Sequence, residues 1–212
     1  MRVNFPGQNG RRGSHHGGTR RGFSLIELLI VMVIILFLAS MLYSSGSRSK
    51  QDKDKASCER NLQKIYLALD IYSKENNSAM PSTPGASSSE APLSQLVPRF
   101  TVASEAFICP GSGDKPLANG EPFADRRISY AYFMGRRSSD PGGLLMSDRQ
   151  INAMPKAVGE PVFSDDGKTP GNNHHKYGGV YLLLDGRTEA GGRTAGFAIV
   201  WPTNVTLLNP KP

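Results

Sequence analysis

The sequence predicts an α+β protein in which one long amino-terminal helix packs on a small antiparallel sheet. Three observations carry this reading. From Phe23 to Tyr43 the chain is apolar apart from Ser24, Glu27 and Ser40. Further on, Cys58, Leu62, Ile65, Leu69 and Tyr72 recur at spacings of three and four, the period of an amphipathic helix. The remainder alternates short aromatic and β-branched runs with loops, and the 23 glycines and 15 prolines of the chain gather mainly at 77–98, 110–122 and 140–172.

Residues 1–22 hold Arg2, Arg11, Arg12, Arg20 and Arg21 and no acid. The apolar run behind them, 21 residues to Tyr43, makes roughly 31 Å of helix at about 1.5 Å per residue. That is enough to cross a hydrocarbon core, and the arginines ahead of it set the leader in the cytoplasm by the positive-inside rule. Ser44-Ser45-Gly46-Ser47 weakens the helix beyond this run, since a glycine in a helix interior costs about 1 kcal/mol against alanine. Lys50 to Lys55 reads as solvated helix, and the apolar stripe from Cys58 continues the helix to about Asn76.

Pro81, Pro84 and a serine-rich tract confirm the stop, and Ser94–Phe100 reads as one short helix. Ile128–Met134 reads as a strand, and Glu160–Phe163 as a second. Gly179–Leu184 is the clearest strand, and Asp185-Gly186 is a hairpin signal that returns the chain through Arg187–Ala190. A last strand comes from Gly196–Trp201 or from Val205–Leu208. The layout is a basic leader at 1–22, a transmembrane and assembly helix at 23–45, an amphipathic second half of the stalk helix at 46–76, and a loop-rich β domain at 77–212.

The 25 Lys and Arg exceed the 18 Asp and Glu by +7, but five of the arginines are in residues 1–22. The rest of the chain is close to neutral, which gives no warrant for nucleic-acid binding. No Gly-x-Ser-x-Gly elbow, phosphate loop or His-Glu-x-x-His occurs, so the chain is not expected to be an enzyme. Cys58 and Cys109 read as a disulfide, worth about 4 kcal/mol for a loop of this length, with two buried, unpaired thiols as the alternative. A metal pair is disfavoured because so few partner residues accompany them.

A carboxylate inside a membrane-length helix is costly and marks a functional site. Gly22-Phe23-Ser24-Leu25-Ile26-Glu27-Leu28-Leu29 resembles the processing site of type IV pilins and type II secretion pseudopilins. The resemblance implies that a prepilin peptidase cuts after Gly22 and removes the leader. It implies that Phe23 is then N-methylated and that Glu27 pairs with the amine of a neighbouring subunit during filament assembly. A secretory signal, a twin-arginine signal and a plain anchor compete with it. The first would be shorter, the second lacks a leucine at Ser24, and the third explains neither Gly22 nor Glu27.

The fold the resemblance implies is pilin-like, with the first half of the helix in the inner membrane and the carboxyl-terminal domain in the periplasm. The implied partners are the peptidase and N-methyltransferase, further copies and other pilin-like subunits, an inner-membrane assembly platform and membrane lipid. The implied function is a structural subunit of a type II secretion system or of a type IV pilus-like filament. The alternative is a membrane-anchored periplasmic module that binds a polysaccharide or other ligand.

A second likeness lies at the carboxyl end. His175, nine residues, then Asp185-Gly186 is similar to a motif closing a group of prepilin-processed proteins abundant in Planctomycetes and Verrucomicrobia. Cys58-x-x-Asn61-Leu62, Phe107-Ile108-Cys109-Pro110 and Ser129-Tyr130-Ala131-Tyr132 resemble their other landmarks. The structural reading is a turn at Asp185-Gly186 with His175 hydrogen-bonding the loop. Calcium held by Asp165, Asp166 and Asp185 is the alternative, and zinc on His174-His175 is disfavoured because adjacent histidines rarely point the same way. No cofactor is otherwise expected.

Overall fold

The computed structural model describes residues 24–212, apart from the side chains of 42–48. Gly22 and Phe23 lie outside the described residues. The chain divides into two compact units, Met1–Ser44 and Ser45–Pro212.

Helix α1 runs Leu25–Glu75 and includes Gly46. In the first unit the carbonyl of Ser24 accepts from the amides of Glu27 and Leu28 at 3.0 and 3.2 Å, so the serine opens the first turn. From Leu25 to Met41 the large apolar side chains are exposed, with Leu25 at 84% and Leu36 at 67%.

Two expectations need correction here. Among the described residues no helix is long and apolar enough to cross a membrane. Phe23, Leu42 and Tyr43, which the sequence reading counted, have no described side chains. The stretch that remains, 25–41, makes only roughly 25 Å of helix at about 1.5 Å per residue, short of a hydrocarbon core of about 30 Å. A membrane-spanning first half of the helix is therefore not supported. Neither is the single-pass inner-membrane placement with a periplasmic carboxyl-terminal domain.

In the second unit α1 buries Cys58, Leu62, Ile65, Ala68 and Leu69 along one stripe. Asn77 and Ser78 follow it with φ of 54° and 65°, and the amide of Ser78 returns to the carbonyl of Ser73 at 2.8 Å. Left-handed residues of this kind close helix carboxyl ends, and asparagine tolerates them best after glycine. The short helix expected at Ser94–Phe100 starts earlier: α2 spans Glu90–Leu93 and passes into a 3₁₀ turn at Ser94–Leu96. A second 3₁₀ turn covers Ser104–Phe107.

Five strands form one antiparallel sheet: β1 Tyr130–Met134, β2 Leu144–Asp148, β3 Gly179–Leu183, β4 Thr188–Gly191 and β5 Thr206–Leu208. Their order is β4-β3-β2-β1-β5, all pairs antiparallel. Successive side chains alternate between the faces. Tyr130, Tyr132, Val180 and Leu182 join α1 in one core, while Ala131, Phe133, Tyr181 and Leu207 join Val162, Phe163, Ala195 and Ile199 in another. The sheet is thus covered on both faces, by α1 on one side and by the loops at 160–178 and 192–201 on the other.

Strand β2 was not expected, and its burial explains why. Leu144 faces the loop-side core, while Leu145 and Met146 both join the helix-side core. The register with β3 shifts between Leu144 and Met146, as a bulge would make it. A strand buried on both faces and bulged carries no alternation of apolar and polar residues. Glu160–Phe163, by contrast, is not a strand. Pro161 makes one isolated bridge with Thr194, and the amides of Val162 and Phe163 both reach the carbonyl of Arg193.

Candidate functional site

In the first unit Glu27 sits in the first turn of α1, exposed, amid exposed apolar neighbours. A negative charge there is favoured by the positive end of the helix dipole. Among the described residues of its unit the large side chains around it are exposed, and a contiguous apolar surface of this kind marks an interaction site.

The second unit gathers its chemistry around Cys58 and Cys109, which form a disulfide with Cα atoms 5.4 Å apart. Cys58 is on α1 and Cys109 just past the 3₁₀ turn at Ser104–Phe107, so the bridge ties the helix to the loop beside the sheet. Asn61, one turn along α1, donates to the carbonyl of Ile108 at 3.1 Å and reinforces the same junction.

Against the disulfide lies His174, fully buried. Its Nε2 is 3.5 Å from Cys109 Sγ and 3.1 Å from Asp148 Oδ2. Asp148, at the end of β2, is also fully buried. Its Oδ1 accepts from Asn173 Nδ2 at 2.8 Å, and its Oδ2 accepts from the amide of Val180 at 2.7 Å. Asn173 Nδ2 donates in addition to the carbonyl of Ser129 at 2.7 Å. This is not the arrangement of a nucleophilic triad. There the carboxylate and the nucleophile face different imidazole nitrogens, whereas here both face Nε2. Nδ1 of His174 is buried without a hydrogen-bond partner among the described residues. The buried Asp148 carboxylate also helps to push the phenols of Tyr130 and Tyr181 above their ordinary range, behind the larger effect of burial.

Sequence reasoning singled out the neighbour, His175, which the structure places elsewhere. His175 is exposed with φ of 51° and lines a cleft of about 460 Å³ with Lys50, Gln51, Asp166, Gly167, Lys176 and Tyr177. Asp185 and Gly186 make the β3–β4 turn. The amide of Gly186 donates to the carbonyl of Leu183 at 3.1 Å, and Asp185 accepts from the amide and Nε of Arg187 at 3.0 and 2.7 Å. Those hydrogen bonds hold the Asp185 carboxyl below its usual range. His175 precedes β3 and Asp185 follows it, so the five residues of the strand, roughly 17 Å at about 3.3–3.4 Å per residue, separate them. Among the described residues, neither His175 nor Asp185 belongs to a group of side chains close enough to share a metal ion.

The calcium trio is not gathered either. Asp185 is engaged by Arg187. Asp166 accepts from the amide of Lys168 at 2.8 Å and from Ser164 Oγ at 2.9 Å, which lower its carboxyl. The adjacent histidines do diverge, one to the disulfide and one to solvent. Among the described residues, the group of His, Cys, Asp and Glu side chains close enough to share a metal ion is Cys58, Cys109, Asp148 and His174. Asp148 went unread in the sequence, since an aspartate ending an apolar run carries no spacing signal. His174 enters the sequence reading only as half of a disfavoured zinc pair with His175, because its neighbours Cys109 and Asp148 are distant in the chain.

Gly186 has a packing role that the turn alone does not reveal. Its φ is 83°, and a Cβ there would come within 2.6 Å of Tyr66 Cε1 on α1, whose hydroxyl donates to the carbonyl of Leu184 at 3.3 Å. Gly186→Ala is expected to cost about 1–2 kcal/mol from the left-handed backbone alone, with displacement of Tyr66 added. Urea unfolding monitored by circular dichroism checks it, and an unchanged midpoint would show that the turn does not depend on glycine.

A model of the prokaryotic N-terminal methylation motif matches residues 18–43. The chain is similar to type II secretion system core protein G of Pectobacterium carotovorum subsp. carotovorum, 33% identical over 110 residues, which cover 52% of this chain and 62% of that protein. The protein of the same name from Klebsiella michiganensis is 32% identical over 95 residues, 45% of this chain and 62% of the relative. That from Dickeya chrysanthemi is 32% identical over 94 residues, 44% of this chain and 57% of the relative. The chain thus spans less than two thirds of the length of these relatives. No solved structure matches it. The chain is homologous to type II secretion core protein G over about half of its own length and carries a prokaryotic N-terminal methylation motif.

Proposed function

We propose that this chain is a non-catalytic structural subunit of a type II secretion pseudopilus or a related type IV pilus-like filament. In this reading a prepilin peptidase removes 1–22 by cutting after Gly22, and Phe23 is N-methylated. Residues 23–45 are the assembly helix, 46–76 the stalk and 77–212 the variable domain. Its partners are the peptidase, further copies and other pilin-like subunits, and an assembly platform. The order of the landmarks around Cys58, Cys109 and His175–Gly186 supports placing it with the prepilin-processed proteins that share the carboxyl-terminal motif.

One observation carries the reading: a carboxylate in the first turn of a helix whose apolar side chains, Leu25 to Met41, are exposed. Packing such helices side by side buries those chains at about 25 cal/mol per Å² of apolar surface. Glu27 is then carried into a low-dielectric setting, where an unpaired charge is costly. The amine of Phe23, created by cleavage, supplies the opposite charge from a staggered neighbour and so fixes the register of addition. Glu27→Ala is expected to be cleaved normally and to accumulate, yet to leave sheared-filament yield below about a tenth of wild type, as loss of more than about 1.4 kcal/mol per contact implies. Wild-type filament yield from the variant would overturn the reading and favour a binding module.

A further inference from the structure

The cluster around the disulfide is better built than a staple requires. Two sulfurs, a carboxylate oxygen and an imidazole nitrogen, all buried, lie within 4.8 Å of one another. They come from four separate places in the chain. Cys58 is on α1, Asp148 ends β2, and Cys109 and His174 sit on the loops between. The carboxylate is held by two hydrogen bonds, from Asn173 and from the amide of Val180, and its ion-pair partner is a histidine, charged only when protonated.

Tetrahedral zinc takes thiolate sulfur at about 2.3 Å and nitrogen or oxygen at about 2.0–2.2 Å, which sets ligand atoms roughly 3.3–3.8 Å apart. The edges from His174 Nε2 to Cys109 Sγ and to Asp148 Oδ2, 3.5 and 3.1 Å, are already close to that spacing. The edge between the sulfurs is a covalent bond here, and reduction opens it.

We propose that Cys58, Cys109, Asp148 and His174 are a zinc-type metal site that alternates with the disulfide. A dithiol reductant gives two electrons to the Cys58–Cys109 bond and becomes a disulfide itself, leaving two cysteine thiols. Zn²⁺ then binds both sulfurs, and the two thiol protons are released to solvent. His174 Nε2 supplies the third ligand as neutral imidazole, and Asp148 Oδ2 the fourth while Val180 continues to donate to it. In reverse, an oxidant such as a disulfide removes two electrons, the sulfur–sulfur bond re-forms and the metal leaves. Either state joins α1 to the loop at Cys109, so the junction persists in an oxidising and in a reducing setting.

The buried ligands exclude water, and the donor set of two sulfurs, one nitrogen and one carboxylate oxygen selects zinc over calcium or magnesium, which take oxygen. With four protein ligands the ion has no open position, so the site is structural rather than catalytic. His175, exposed and one residue away, takes no part.

The test uses the full chain, titrated with Co²⁺ as an absorbing substitute for zinc, before and after reduction by a phosphine. The reduced wild type is expected to bind one Co²⁺ with a thiolate-to-cobalt charge-transfer band and the visible bands of tetrahedral cobalt. The disulfide form is expected to bind none. Loss of an outer-shell partner lowers metal affinity about 10–100-fold, and His174→Gln, which removes a ligand, is expected to lower it by at least that much. His175→Ala should bind as wild type does. Circular dichroism of the oxidised His174→Gln protein checks that the variant folds.

A second measurement stands independently of that variant: Zn²⁺ should slow alkylation of Cys58 and Cys109 in the reduced wild type, and Mg²⁺ should not. The proposal is overturned if the reduced wild type takes up no Co²⁺, if folded His174→Gln binds with wild-type affinity, or if Zn²⁺ leaves alkylation unchanged.

Discussion

Asp114→Ala is expected to destabilise the carboxyl-terminal unit by about 3–5 kcal/mol, the cost of stripping one partner from a buried ion pair. Its side chain is 5% exposed and lies between two arginines. Arg127 Nε is 2.9 Å from Oδ1, and Arg149 Nη2, on a side chain 4% exposed, is 3.5 Å from Oδ2. Ser129 Oγ also donates to Oδ2, at 2.7 Å. Without the carboxylate, the Arg149 guanidinium keeps only the carbonyl of Ile128, at 3.1 Å, among these partners. Burial already pulls the Arg149 guanidinium below its ordinary range, and the charge of Asp114 works against that.

Urea unfolding of wild type, Asp114→Ala, Arg149→Met and the double variant measures the effect. The double variant should recover at least about 1 kcal/mol of the sum of the singles, because neither charge is then left alone. Strict additivity would show that the two side chains act separately. Glu75→Ala is the contrast. It breaks the pair with Arg99 at 2.7 Å, but those side chains are 48% and 75% exposed, and screening holds the loss to about 0.2–1 kcal/mol.

The double substitution Cys58→Ala with Cys109→Ala is expected to cost about 4 kcal/mol relative to the oxidised wild type. The cysteines are 51 positions apart, and in the chain-entropy model a cross-link over such a span removes that much freedom from the unfolded state. Both sites are buried, Cys58 fully and Cys109 almost so, and the alanines leave the packing around Leu62 and Phe107 short of two sulfurs. Denaturation under non-reducing conditions, scored by the urea midpoint, reads the loss. A change below about 1 kcal/mol would show that the junction is held by its packing and by the Asn61 hydrogen bond instead. The proposed metal site adds a further expectation. Zn²⁺ should raise the midpoint of the reduced wild type and leave that of the double alanine variant where it is.

Much of the layout is local in origin and was readable before any contact was known. The stripe Cys58, Leu62, Ile65, Leu69 fixes which side of α1 is buried, because a helix places residues three and four apart on one face. Strand β3 and the Asp185-Gly186 turn announce themselves by an aromatic and β-branched run followed by a hairpin dipeptide. The match to the prokaryotic N-terminal methylation motif at 18–43 is likewise legible as sequence, since it is carried by a linear segment.

What the sequence could not show depends on residues far apart in the chain. Strand β2 lacks alternation because the loops at 160–178 and 192–201 cover the face that a sheet with one solvated side would leave polar. The second layer was invisible for the same reason: its Phe163, Ala195 and Ile199 come from irregular backbone with no period to detect. The nine-residue spacing from His175 to Asp185 measures the length of β3 with its flanking residues, and a length along one strand cannot say what lies beside either end.

Tertiary contact alone chose between the two histidines. It set His174 against Cys109 and Asp148 and left His175 to solvent, because left-handed backbone at His175 turns the chain between them. The sequence by itself determined the long helix, its buried stripe, the main hairpin and the match to the N-terminal methylation motif, all of which rest on neighbours within a few residues. The coverage of both sheet faces, the Asp114 ion pair and the cluster of Cys58, Cys109, Asp148 and His174 were decided only by the tertiary structure, because each joins groups whose separation along the chain leaves no periodic trace.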